Sequence, residues 1–189
     1  MHFLQLVSVY QSRCRLMNTQ IDRTVGVWPY CDICGEPSQT VQQLVSLLDC
    51  ETEAHTLRVS DLAVKLAPKM GVSHEQVEGI RIGSLLHDIG KIVIPEQILF
   101  KQGELTRAEW EIMQKHPQYA YDLMSPFSYF QNALDIPLYH HEHWNGNSYP
   151  RGLCAEEIPL AARIFTIVDI WDALSSDRTY RAAWIEGAV

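Results

Sequence analysis

The chain has 189 residues, 47% of them hydrophobic and 20% charged, with a mean hydropathy of −0.11. That balance fits one globular domain and excludes a disordered, collagenous or membrane-embedded chain. Fifteen Lys and Arg against 23 Asp and Glu leave a formal charge of −8, so the basic footprint that DNA, RNA or an anionic lipid surface needs is absent, and an anionic ligand must be held by a local site.

In chain order, residues 1–17 read as a short helix, without the basic leader and cleavage pattern of a signal peptide. Residues 18–40 contain Gly26, Pro29, Gly35, Pro37 and Ser38 and read as irregular connection, which puts a domain boundary near residue 38. The five cysteines (Cys14, Cys31, Cys34, Cys50, Cys154) are odd in number and irregularly spaced, which favours a reducing cytosol over a disulfide framework. Cys31 and Cys34 form a lone CxxC that lacks the second pair a structural zinc site needs, and a plain loop is the simpler reading.

Val59, Leu62, Ala63, Leu66, Ala67 and Met70 follow a helical period that ends at Gly71, predicting one amphipathic helix. Ser73 with Gln76 opens another, expected to run through Ile80 and Leu85 to Gly90. Thr106 and Glu109 form a capping box for a helix over 107–115. Asn145 to Gly152 is a loop by composition. Ile158 to Ala173 is apolar enough for a buried helix with Pro159 in its first turn, and Arg163 and Asp169 interrupt it well short of the ~18 apolar residues of a membrane span. No convincing strand alternation appears, so the predicted fold is all-α.

Seven of the eight histidines (His55, His74, His87, His116, His140, His141, His143) follow residue 50. His87 and Asp88 fall near the end of the second predicted helix, where adjacent side chains diverge by about 100° and can reach one metal from two sides, while the carboxylate can bridge to another. Lys91 is placed to meet a phosphate oxygen. Glu51 and His55 are spaced i, i+4, a chelating geometry. A capped helix end would equally present a His-Asp pair, and a solvated surface would present Glu51 with His55. The recurrence of histidine at His116 and at the tandem His140-His141 tilts the balance toward ligation. Asp169, inside an apolar run, needs a partner, and a metal is the simplest one.

Laid end to end, these residues make an ordered set from Glu51-x3-His55 through His87-Asp-Ile-Gly-Lys91, Lys115-His116-Pro117, His140-His141-Glu142-x-Trp144-x-Gly146, Tyr149-Pro150-x-Gly152 and Ile158-Pro-Leu-Ala-Ala-Arg163-Ile164. It closes on Val168-Asp169-x-x-Asp172-Ala-Leu174 and Ser176-Asp-Arg178-x-Tyr180-Arg181. The set resembles the HD-GYP branch of the HD superfamily of metal-dependent phosphohydrolases. The resemblance implies a helical HD-type bundle with the metal centre in its core and a Gly-rich loop beside it. It implies hydrolysis of cyclic di-GMP to pGpG, in the family often on to GMP, at a centre of two or three transition metals, iron ahead of manganese. Its implied ligands are Glu51, His55, His87, Asp88, His116, His140, His141 and Asp169, with Asp88 bridging and Glu51 serving a third metal. Lys91 is implied as the catalytic cation, and Tyr149, Arg178 and Arg181 as substrate contacts. His74 and His143 match no ligand position and are expected to be exposed.

With a reducing cytosol read from the cysteines, the resemblance implies a cytoplasmic signalling role; a GGDEF-domain protein is a candidate partner and a homodimer a candidate assembly. It divides the chain into an N-terminal segment, 1–37, of unassigned role and a catalytic domain, 38–189, that is short at its C-terminus. Ser148 stands where the family carries glycine, and a positive φ there would strain it by about 1 kcal/mol. Two alternatives stay open: an HD phosphohydrolase for another nucleotide, and a weakly active module that binds cyclic di-GMP or a GGDEF-domain partner.

Overall fold

The structure, a computed structural model, describes residues 50–175, with side chains from residue 54. The readings made for 1–17 and 18–40, including Cys31 and Cys34, lie outside the described residues. Among those described, helices follow one another without a strand: α1 (Cys50–Leu66), α2 (His74–Leu85), α3 (Glu96–Leu99), α4 (Arg107–Met113), α5 (His116–Met124), α6 (Asp135–Tyr139) and α7 (Leu160–Ser175). Four 3₁₀ turns, Ala67–Met70, Ile89–Val93, Ser128–Ala133 and Ala155–Glu157, link them. The fold is all-α, as predicted.

The apolar period of the first helix is divided between α1 and the 3₁₀ turn after it. Val59, Ala63 and Ala67 are fully buried, whereas Leu62 and Met70, counted on the same face, lie exposed. Gly71 ends the segment with φ +83°, and its N–H caps the carbonyls of Ala67 and Pro68, a left-handed stop that glycine adopts without penalty. Ser73 and Gln76 form the expected capping box of α2, and Thr106 and Glu109 that of α4. Pro159 precedes α7 rather than sitting inside its first turn.

Among the described residues, two apolar clusters make the core. Val59, Ala63, Ala67, Ile80, Ile136, Ile164, Phe165 and Val168 join α1, α2, α6 and α7. Ile82, Leu85, Leu86, Ile89, Ala120, Met124, Phe130, Ala133 and Leu134 join α2, α5 and the turn at 128–133. The end of α2 feeds both clusters, so the residues immediately after it are set between the two halves of the bundle.

Candidate metal centre

The prediction that α2 continues to Gly90 is corrected by the structure: the helix stops at Leu85, and His87 and Asp88 lie on the turn that follows. Helical hydrogen bonding gives way to shorter spans, Ile89 N–H to the Leu86 carbonyl at 3.1 Å and Lys91 N–H to the Asp88 carbonyl at 2.9 Å. The His87 ring fixes the corner, its Nδ1 lying 2.8 Å from the Ser84 carbonyl. Gly90 then runs against the first turn of α5. A Cβ there would stand 1.9 Å from the His116 carbonyl oxygen, so the absence of a side chain is what lets His116 approach Asp88.

His116 opens α5, His140 and His141 follow α6, and their Nε2 atoms converge. His116 Nε2 lies 3.3 Å from His140 Nε2 and 3.2 Å from His141 Nε2. The other nitrogens of the first two rings are committed to backbone carbonyls, His116 Nδ1 to Met113 at 2.9 Å and His140 Nδ1 to Ile136 at 3.0 Å. A carbonyl accepts only, so each Nδ1 carries a proton, and in the neutral ring Nε2 then presents a bare lone pair. Asp88 Oδ1 adds a further acceptor 3.3 Å from His116 Nε2, and this buried oxygen has no hydrogen-bond donor. Acceptors facing one another in a dry pocket repel unless a cation lies among them. The ligand atoms of Asp88, His116, His140 and His141 all fall within 4.8 Å of each other. Burial, reinforced by the charge of His87, holds the His140 imidazole well below its ordinary range. Burial and the neighbours His140 and His116 push His141 down to about 2. Both rings therefore stay unprotonated, the form that ligates metal.

A second cluster joins α1, the turn and α7: ligand atoms of His55, His87 and Asp169 also lie within 4.8 Å of one another. His55 Nε2 is 3.1 Å from Asp169 Oδ1. Burial disfavours the His87 cation, but the Asp88 and Asp169 carboxylates outweigh it and raise the His87 pKa, the sign of a pocket that attracts positive charge. Asp88 connects the clusters. Its Oδ1 faces His116, while its Oδ2 lies 3.2 Å from His87 Nε2 and 2.6 Å from Lys91 Nζ. Burial opposes its charge, yet Lys91 and His87 hold this carboxylate well below its usual range. The chemistry of the donor set, imidazoles around a shared carboxylate, fits a pair of transition metals. The floor is Phe165, fully buried, with its ring 4.8 Å from that of His87 and 6.1 Å from that of His140.

Seven of the predicted ligands, His55, His87, Asp88, His116, His140, His141 and Asp169, are thus brought together. Glu51 lies on α1 one turn before His55, and its side chain lies outside the described residues. Arg178 and Arg181 lie outside them as well. Tyr149 stacks on His141 with ring centroids 4.7 Å apart and planes at 29°. Burial, with Asp88 adding to it, raises its hydroxyl to about 12, which keeps the group neutral. Ser148 does not take a positive φ; among the described non-glycine residues only Ala155 does, at 50°, and the anticipated strain is absent. His74 and His143 are exposed.

Two supporting carboxylates carry no role in the sequence reading. Buried Glu142 accepts the N–H groups of Arg151, Gly152 and Leu153 at 2.6, 3.1 and 3.1 Å, fastening the loop of Tyr149 to the residue after His141. An acidic residue between a histidine pair and a Gly-rich loop is the signal that was available. Asp172 pairs with both His55 and Arg58, and its spacing from Asp169 along α7 was the corresponding clue.

The HD domain family pattern matches residues 39–187. The cyclic di-GMP phosphodiesterase response regulator RpfG of Xanthomonas campestris pv. campestris is 40% identical over 151 residues, which are 79% of this chain and 40% of that protein. A 3′3′-cGAMP-specific phosphodiesterase 2 of Vibrio cholerae is 40% identical over 138 residues, 72% of this chain and 26% of that protein. The chain therefore spans between about a quarter and two fifths of these relatives' lengths. Among solved structures, an HDG"Y"P protein from Bdellovibrio bacteriovorus superposes with a TM-score of 0.54 at 24% identity, covering 72% of this chain and 47% of that one.

Proposed function

The chain belongs to the HD domain family, in its HD-GYP branch, and from that premise we propose that residues 38–189 form a metal-dependent phosphodiesterase that opens cyclic di-GMP to linear pGpG. The observation that carries this reading is Asp88, whose two oxygens face two separate clusters of ligand atoms. The proposed ligands are His55, His87, Asp88, His116, His140, His141 and Asp169, with Glu51 for a third ion; iron suits the imidazole-rich shell, and manganese is second. When bound, such a pair supplies Lewis acidity toward phosphate oxygens and a water deprotonated near neutral pH.

The protein's own groups do the rest. Asp88 holds Lys91 at 2.6 Å, and the Lys91 side chain is about one third exposed, so its ammonium can turn from that carboxylate toward a bound phosphate. Tyr149, braced on His141, walls the pocket and offers its hydroxyl to the ligand. Arg178 and Arg181 are proposed to hold phosphate or guanine edges, for which planar guanidinium forks are suited. No helix among the described residues is long and apolar enough to cross a membrane. A cytoplasmic location, a GGDEF-domain partner and a homodimer belong to the same reading.

Protein loaded anaerobically with Fe²⁺ or Mn²⁺ is expected to release pGpG before GMP, because one in-line attack opens one of two equivalent phosphodiesters. Chromatography of an early time course checks it. GMP preceding pGpG would contradict the scheme, and turnover of 3′3′-cGAMP without turnover of cyclic di-GMP would move the substrate. Tyr149→Phe should weaken cyclic di-GMP binding by about 1–3 kcal/mol with metal content unchanged, measured by calorimetry beside elemental analysis. Loss of metal in that variant would instead make the hydroxyl part of the metal shell.

A further inference from the structure

Asp172 lies one turn beyond Asp169 on α7 and is buried, with 4% of its surface exposed. Its Oδ2 is 2.7 Å from His55 Nδ1. Arg58, one turn along α1 from His55, clamps the same carboxylate with both arms of its guanidinium, Nε to Oδ1 at 2.7 Å and Nη2 to Oδ2 at 2.9 Å. The acceptor forces the proton onto His55 Nδ1 and leaves Nε2 to face Asp169. The histidines His87, His116 and His140 are oriented differently, each by a neutral backbone carbonyl. A carboxylate behind an imidazole strengthens its donor nitrogen more than a carbonyl does. The two clusters are therefore supported unequally, and the inequality is concentrated in one ring.

We propose that Asp172, held by Arg58, is a positioning residue that sets the metal affinity of the His55–His87–Asp169 site and leaves the Asp88–His116–His140–His141 site untouched. The proposal rests on the two-metal reading above. Its reach is confined because Asp172 touches His55 and Arg58, whereas the other cluster is built from the turn after α2, the start of α5 and the end of α6.

The test is titration of the metal-free 189-residue chain with Mn²⁺ alone, counting free ion by its electron paramagnetic resonance signal. The wild-type chain should show at least two binding events. Asp172→Asn should weaken one of them by about 10–100-fold, the usual cost of losing such a partner, and leave the other at its wild-type value. Arg58→Gln, a change at a half-exposed side chain that keeps the carboxylate, should weaken the same event by a smaller factor. Unchanged affinities in Asp172→Asn, or equal weakening of both events, would overturn the proposal while leaving the two-metal reading intact. Fewer than two events in the wild-type chain would overturn that reading itself.

Discussion

On the proposed two-metal phosphodiesterase reading, Asp88→Ala is expected to empty both metal sites and to lower cyclic di-GMP turnover by more than the roughly 10²–10³-fold that loss of a single transition-state donor costs. The expectation follows from position. Asp88 Oδ1 is the acceptor beside His116, and Oδ2 is the acceptor beside His87 and Lys91. Removing the carboxylate strips a ligand from the Asp88–His116–His140–His141 cluster and takes from the other the oxygen that faces His87, and with it goes the negative charge that would screen two cations at short range. The same change leaves the Lys91 ammonium without its 2.6 Å partner, and Asp169 is then the remaining carboxylate of the two clusters. Asp88→Asn separates the contributions: its single amide oxygen can serve one cluster, so one metal should persist weakly. Elemental analysis beside a turnover assay reads both variants, and retention of two metals by Asp88→Ala would remove Asp88 from the bridging role.

The parts of this site that the sequence disclosed are those written in local spacing. The capping boxes at Ser73 and Thr106 are decided by residues three apart, and both form as expected. The ligand types were legible because buried carboxylates and recurrent histidines have few other uses, although the chain alone could not say that they meet. The end of α2 was misplaced for a physical reason. From Ile80 to Ile89 the residues suit a helix, and two contacts stop it: locally the His87 ring takes the Ser84 carbonyl, and at long range the first turn of α5 presses on Gly90, which no spacing within α2 reports. Likewise, the partners of Asp172 lie 117 and 114 residues away in His55 and Arg58, and no periodicity reports a contact of that range. Glu142 is similar in kind, since its three donors are backbone N–H groups of a loop whose path only the folded chain defines.

Gly90→Ala is the second large effect expected, and it comes from a residue that ligates nothing. The φ of Gly90 is not in the left-handed region, so the requirement for glycine is one of space. The missing Cβ would meet the His116 carbonyl oxygen at 1.9 Å, the Ala120 nitrogen at 2.6 Å and the His116 carbonyl carbon at 2.9 Å. All three are backbone atoms of α5, so no side chain can rotate away. Either α5 withdraws by about an ångström or the turn carrying His87 and Asp88 does. Ordinary overpacking costs about 1–3 kcal/mol because neighbouring side chains adjust; here a whole helix must shift, and the destabilisation should reach the upper end of that range or pass it. The functional consequence should be larger still. His116 Nε2 sits 3.3 Å from Asp88 Oδ1 and 3.3 Å from His140 Nε2, so withdrawal of α5 pulls one ligand out of the Asp88–His116–His140–His141 cluster. A misplacement of about 1 Å at a reacting centre costs on the order of 10²-fold in rate. Denaturant unfolding should show the lost stability, and Mn²⁺ titration should show weakening of the site opposite to the one that Asp172→Asn affects. If Gly90→Ala keeps both sites at full affinity, the close packing of α5 on this turn does not govern the geometry of the centre, and the glycine between Asp88 and Lys91 must be explained by the chain's path through the turn alone.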